Sequence, residues 1–209
     1  MAVTHVFVDY DGTVTDVDTF DVLVERFAGP DDWARLEAHL QGGSMSLRDV
    51  LAAQASFVRG SIDEADLFLA KSTRIDPAFQ PFAERCKRAG IKLTIVSSGI
   101  APLIERALAR GGIDVPVLAN EVTASADGWV MHFRDDSENG HDKAAAVRAA
   151  AAGGTVAYVG DGYSDYDGAL EAQVRFAKRG RSLERFLRAR HVPFTPFTSF
   201  AEVEKALFS

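Results

Sequence analysis

At about 150 residues per domain, a chain of 209 residues holds one domain with a substantial insertion, or one large domain, and excludes a multidomain array. With 47% apolar and 25% charged residues it can bury a sizeable core, and its single cysteine, Cys86, excludes an internal disulfide framework or a multi-cysteine metal site. A formal charge of −7 argues against broad electrostatic binding to nucleic acid or an anionic membrane, but not against a small anionic substrate in a local site.

In chain order, short apolar runs alternate with helical patterns, which predicts an α/β domain with a parallel sheet. Strands are expected at Val3–Tyr10, Lys92–Val96, Val115–Ala119, Thr155–Val159 and, more weakly, Val174–Ala177. Helical patterns fall at about 77–89, 100–110, 141–152 and 164–172. Gly90, Gly111 and Gly153 stand where helices stop. Residues 18–75 break the alternation, with apolar residues at helical spacing: Leu23 and Phe27, then Trp33, Leu36 and Leu40, then Leu47, Val50, Leu51 and Phe57. Gly42, Gly43 and Gly60 punctuate them. This predicts a small all-helical insertion after the first strand. Further on, Ala126-Asp127-Gly128 between two β-prone runs signals a short hairpin. The first apolar run, Val6–Val8, is cut by Asp9 and Asp11, unlike a signal peptide, and no stretch approaches the length of a membrane span. A soluble, cytoplasmic protein is expected.

Four segments carry chemistry. Asp9-Tyr10-Asp11-Gly12-Thr13 follows the first strand directly, so Asp9 and Asp11 converge at the carboxyl edge of the sheet, where open α/β sheets place ligands. Aspartates capping a turn would leave the same trace. Asp161 and Asp165 follow the Thr155–Val159 strand in Gly160-Asp161-Gly162-Tyr163-Ser164-Asp165, where helix capping is the competing explanation. An EF-hand loop is rejected there, because Tyr163 occupies the first ligand position and the terminal glutamate is missing. Ser97-Ser98-Gly99 ends the second strand and opens a helix, a place for an anion or an ordinary N-cap. Lys143 opens the Ala-rich helix at the dipole end that disfavours a cation, unless it is simply a solvated surface lysine.

All four can lie on one edge of one sheet. Four carboxylates together need a counter-ion. Magnesium suits few carboxylates plus phosphate, and a hydroxyl with an ammonium beside it suits the phosphate.

Strand–DxDGT, strand–Ser, Lys and strand–GDGxxxD in this order resemble the haloacid dehalogenase (HAD) superfamily phosphatases, over essentially the whole chain. The resemblance implies a HAD-like α/β core, a Rossmann-like parallel sheet flanked by helices, over 1–17 and 76–209, with a helical cap over 18–75. It implies Asp9 as nucleophile and Asp11 as general acid/base, and phosphate binding by Ser97, Ser98, Gly99 and Lys143. It also implies a Mg2+ site of Asp9, Asp11 through its carbonyl, Asp161 and the supporting Asp165. The helical insertion resembles the cap of the phosphoserine-phosphatase-like branch. Within that branch the closest resemblance is to 2-hydroxy-3-keto-5-methylthiopentenyl-1-phosphate phosphatases. It rests on DYDGTVT, Phe27-Ala28-Gly29-Pro30 with Trp33, Met45-Ser46-Leu47-Arg48-Asp49, Arg175-Phe176-Ala177-Lys178, Val192-Pro193-Phe194 and Phe200.

The expected activity is therefore a Mg-dependent phosphatase that hydrolyses a small phosphate monoester, such as a salvage-type sugar-like phosphate, through an aspartyl-phosphate. Phosphoserine is the alternative substrate, and a phosphoacceptor signalling or non-catalytic phosphate-binding module the alternative of another class. In the insertion, Asp18, Phe20, Arg48 and Gln54 are candidate substrate selectors; Asp18 equally suits a helix N-cap. The expected partner is a small phosphorylated metabolite, with no nucleic acid and no membrane, and the protein a monomer or homodimer. The basic run from Arg175 to Arg190 reads as a solvated, salt-bridged face.

Overall fold

The strand Val3–Val8 (β1) lies at the centre of the molecule because its side chains are apolar on both faces: Val6 and Val8 enter one core, Phe7 the other. In a computed structural model, which describes residues 2–27, 34, 38–39, 42 and 45–209, seven strands form one sheet in the order β4-β3-β2-β1-β5-β6-β7. Here β2 is Lys92–Ile100, β3 Val117–Thr123, β4 Val130–His132, β5 Thr155–Gly160, β6 Val174–Lys178 and β7 Thr195–Phe197. All pairings are parallel except β3 with β4. The α/β parallel sheet expected from the alternation, Rossmann-like as the resemblance implies, is the observed architecture.

Nine helices are defined among the described residues: α1 Thr19–Phe27, α2 Leu47–Phe57, α3 Ile62–Ser72, α4 Phe79–Arg88, α5 Ala101–Arg110, α6 Lys143–Ala151, α7 Tyr166–Glu171, α8 Ser182–Ala189 and α9 Phe200–Leu207. One face of the sheet packs Val6, Val8, Ile95 and Val159 against Phe79, Phe82, Ile104 and Phe200. The other packs Phe7, Val96 and Tyr158 against Val147, Ala169 and Leu187. A third cluster joins α1–α3 (Phe20, Leu23, Leu51, Leu69) to the end of β2, to α5 and to Trp129 and Met131 of the β3–β4 region. The Trp129 indole donates to the Gly60 carbonyl at 2.9 Å. Trp33, Leu36, Leu40, Gly43 and Ala28-Gly29-Pro30 lie outside the described residues.

Several boundaries differ from the sequence reading. The second strand runs past Val96 to Ile100, because Ser97–Gly99 stays extended as a bulge: Val96 pairs Leu118 and Ile100 pairs Asn120. The expected hairpin is formed by β3 and β4, but its first arm and the expected third strand are one continuous strand, β3, which runs parallel to β2 and then antiparallel to β4. The helix expected at 141–152 begins at Lys143, because the Asp142 side chain caps it by accepting from Ala145 N. The pattern at 164–172 is a 3₁₀ turn, Tyr163–Asp165, followed by α7.

Candidate active site

The strand order sets the site. Asp9 and Asp161 directly follow the carboxyl ends of β1 and β5, and on the neighbouring strands Ser97 stands in the bulge of β2 and Asn120 midway along β3, where the regular β2–β3 pairing breaks. The Tyr10–Val14 turn that follows β1 needs Gly12: its φ is +71°, and a Cβ there would lie 2.6 Å from Asp161 Oδ2. Gly99 is constrained by space alone: a Cβ there would lie 2.6 Å from Asp11 Oδ2.

Asp9, Asp161 and Asp165 are buried, and each offers a carboxylate oxygen within 4.8 Å of the others. Lys143, also buried, donates to Asp9 Oδ1 at 2.7 Å, Asp165 Oδ1 at 2.8 Å and Ser164 Oγ at 2.9 Å. Burial pulls its ammonium toward neutrality, but Asp165 and Asp9 outweigh that and hold it protonated. The cation at a helix N-terminus that looked anomalous in the sequence is thus explained by two buried carboxylates. Asp165 is fully engaged: Oδ1 accepts from Lys143 and from the Tyr158 hydroxyl at 2.8 Å, and Oδ2 from the amides of Asp161 and Gly162 at 2.9 Å. Thr13 donates to Asp161 at 2.9 Å.

Burial and then the Asp165 charge push the Asp9 carboxyl well above the usual carboxylate range, against the pull of Lys143. Burial and Asp165 raise Asp161 to about 6. When all three are ionised, three carboxylates against one ammonium leave two negative charges in excess, which, added to burial, is why the fold opposes ionisation of Asp9 and Asp161 without a cation. An all-oxygen donor set with that excess fits a hard divalent cation such as Mg2+.

Asp11 is half-buried and turned toward the start of α1. Its Oδ1 accepts from the Thr19 amide at 2.9 Å and from the Thr19 hydroxyl, and its Oδ2 from Ser97 Oγ at 3.3 Å. Enclosure by protein raises its carboxyl above the usual range despite these donors. Ser97 Oγ in turn accepts from the Gly99 amide at 2.9 Å. His141 is buried and held neutral by that burial; its ring Nδ1 meets the Ser97 carbonyl at 3.2 Å.

A cleft of about 280 Å³ opens over these groups. Asp9, Asp11, Ser98, Gly99 and Asp161 line its floor, and Asp18, Phe20, Asp21, Val50, Leu51 and Gln54 its helical wall. Asp18 is also the N-cap of α1, accepting from the amides of Phe20 and Asp21 at 2.9 Å. Gln54 is buried, with Nε2 3.4 Å from Asp21 Oδ1. Arg48 is placed elsewhere. Its guanidinium stacks 4.2 Å from the Phe133 ring and donates to the Asp135 carbonyl, so it fastens α2 to the loop after β4. Sequence reasoning gave no role to Thr13, Asn120 and Arg181, whose partners lie far away in the chain, nor to Thr19, Tyr158 and Tyr163, whose nearer contacts depend on how the turns after β1 and β5 fold. Asn120 did leave a signal, as a polar residue at the end of an apolar strand, like Asp9 and Ser97.

The haloacid dehalogenase-like hydrolase family matches residues 6–170. The chain belongs to that family. It is 36% identical to the Pdp3-interacting factor 1 of Schizosaccharomyces pombe, over 97% of this chain and 94% of the relative. It is 28% identical to the polyol phosphate phosphatase PYP1 of Saccharomyces cerevisiae, over 95% and 90%. To a 2-hydroxy-3-keto-5-methylthiopentenyl-1-phosphate phosphatase of Microcystis aeruginosa it is also 28% identical, over 97% and 96%. Its fold matches a phosphoserine phosphatase solved as an analogue of the phospho-aspartyl intermediate, at a TM-score of 0.76, 16% identity and 99% coverage of both chains. This haloacid dehalogenase-like hydrolase is a phosphatase, a phosphoric monoester hydrolase.

Proposed function

We propose that the chain hydrolyses small phosphate monoesters through a phosphorylated Asp9. The observation that carries this reading is the buried set of Asp9, Asp161 and Asp165 around Lys143, with Asp11 and the Ser97–Gly99 segment on the next strand end. Asp9 attacks phosphorus; the new P–O bond forms as the ester P–O bond breaks, and Asp11 gives its proton to the leaving oxygen. Asp11 then takes a proton from water. That water attacks the aspartyl phosphate, freeing inorganic phosphate and regenerating Asp9. A raised Asp11 carboxyl suits the acid role, and Lys143 fixes the Asp9 carboxylate before attack. The residues that would hold Mg2+ are Asp9, Asp161 and the carbonyl of Asp11, with Asp165 orienting them from behind. Bound there, the cation supplies charge neutralisation for the phosphoryl oxygens.

α1–α3 act as a cap over 18–75, on a core of 1–17 and 76–209, and supply the wall that selects the leaving group. Among the described residues lining the cleft, Arg181 is the one cation, while Asp18, Asp21 and Gln54 offer hydroxyl acceptors. This wall favours a neutral, hydroxylated leaving group, polyol or sugar-like, over the carboxylate-bearing phosphoserine. The names of the yeast and cyanobacterial relatives support that class. We place the enzyme in the cytoplasm, in keeping with its single, buried cysteine.

The test is Mg2+-dependent release of phosphate from an aryl phosphate and from a panel holding polyol, sugar and amino-acid phosphates. Turnover that is highest on polyol or sugar phosphates and lost in Asp9→Asn is expected. A preference for phosphoserine would overturn the substrate class. Undiminished turnover by Asp9→Asn would overturn the nucleophile.

A further inference from the structure

The β2–β3 ladder has a gap at the phosphate-binding segment. Between the pairs Val96–Leu118 and Ile100–Asn120, β2 advances four residues while β3 advances two. The bulged residues Ser97–Gly99 therefore lose regular ladder partners. Asn120, fully buried, fills the gap with its side chain. Its Nδ2 donates to the Ser98 carbonyl at 2.8 Å and to the Gly140 carbonyl at 2.9 Å, and its Oδ1 accepts from the Arg134 amide at 3.0 Å. Both amide protons and the oxygen are thus in use, on the β2 bulge and on two points of the loop after β4. Ser98 belongs to the bulge that lines the cleft, Gly140 lies three residues before Lys143, and Arg134 begins the loop that leads there. Two further bonds follow the same seam: Ser98 Oγ to the Asn139 carbonyl at 2.9 Å, and His141 Nδ1 to the Ser97 carbonyl at 3.2 Å.

We infer that Asn120 is a positioning residue for phosphoryl transfer: it fixes the distance between the Ser97–Gly99 segment and Lys143. It touches neither substrate nor metal ligands and acts through the two groups it spaces. The side chain must offer two donors and one acceptor from a single planar group. Aspartate has the same shape but no donors, and it would set a carboxylate against two carbonyl oxygens. Misplacing a phosphate-binding element by about 1 Å costs on the order of a hundredfold in rate. The carboxylate cluster is built on β1, β5 and the turn after β5, and Asn120 makes its hydrogen bonds to β2 and the loop after β4 instead. Its removal is expected to harm phosphate binding and spare metal binding.

This inference rests on the reading of Ser97–Gly99 and Lys143 as the phosphate site, and the native protein tests that reading separately through its turnover of an aryl phosphate and its inhibition by inorganic phosphate. Asn120→Asp and Asn120→Ser are then compared with the native chain for kcat/KM, the inhibition constant of inorganic phosphate, the Mg2+ dissociation constant by calorimetry, and Tm. The expected result is a folded Asn120→Asp with kcat/KM down about a hundredfold, phosphate inhibition weakened about tenfold and Mg2+ affinity within about twofold of native. Asn120→Ser, which keeps one donor, is expected to fall between the two. Native-like kcat/KM and phosphate inhibition in both variants would overturn the assignment. So would equal losses of phosphate and Mg2+ binding, or failure of both variants to fold, since either marks a residue needed only for the fold.

Discussion

At the residue scale the site is organised around unequal charge. Lys143 satisfies Asp9 and Asp165 at once, and all three are buried. Replacing it with methionine leaves two buried carboxylates without their cation, a loss of about 3–5 kcal/mol in stability at pH 8. The penalty requires Asp9 to be charged. Its carboxyl is already raised by burial and Asp165, and losing Lys143 raises it further. In Lys143→Met the stability deficit is therefore expected to shrink as pH falls from 8 toward 5 and Asp9 takes up its proton. Urea unfolding of native and variant at both pH values checks this; a deficit that grows on acidification would show that Asp9 is not charged against Lys143 in the folded state. Asp9, Asp11, Ser97, Asp161 and Asp165 were legible because each directly follows a strand or opens a helix. Thr13, Thr19, Tyr158 and Asn120 were not, because their value lies in contacts such as Thr13 to Asp161 that only the fold creates.

At the element scale the floor and wall of the cleft meet at defined points. Gly140 has φ +74°, and a Cβ there would lie 2.7 Å from Leu51 Cδ1 on α2. Gly140→Ala therefore strains the backbone by about 1–2 kcal/mol and also pushes the α2 wall away from the Lys143 loop. The expected result is a lower Tm with a rise in KM larger than the fall in kcat, read from steady-state kinetics on the best substrate of the panel. An unchanged KM would show that the α2 wall does not contact substrate. Arg48 shows the limit of reading an element from sequence. Its spacing placed it on α2, but only the packed structure shows it over Phe133 and away from the cleft. β7 was missed because it is three residues long, contains Pro196 and sits at the sheet edge. The apolar residues Phe200, Val203 and Leu207 of α9 do carry a helical spacing, but an α/β alternation offers no strand after them to frame it.

At the scale of the whole molecule, an acidic protein binds an anion by concentrating its own charge where a cation can offset it. The parallel sheet order brings Asp9 and Asp161 side by side at the strand ends, although they lie 152 positions apart in the chain. A divalent cation held by the folded carboxylate cluster would stabilise the fold by linkage, so saturating Mg2+ is expected to raise Tm by several degrees, and Asp161→Asn to abolish that rise. The same substitution is expected to stabilise the metal-free protein at pH 8, because it removes a carboxylate whose ionisation the fold opposes. Thermal melts with Mg2+ and with EDTA read both effects; a Mg2+ shift that persists in Asp161→Asn would place the cation elsewhere. The alternating core and the helical stretch after β1 were legible from hydrophobic spacing alone. The grouping of α1–α3 with Trp129 and Met131 was not, because it depends on contacts between distant segments.

The most direct test of the account is to find where phosphate is held during turnover. The enzyme is quenched in acid while hydrolysing its best substrate in Mg2+, and its peptides are analysed by mass spectrometry for a single added phosphoryl group. The account predicts that group on the peptide bearing Asp9, absent in Asp9→Asn and accumulating in Asp11→Asn as hydrolysis of the intermediate slows. Steady turnover with no phosphoryl group on Asp9, or with the group on another residue, would contradict it.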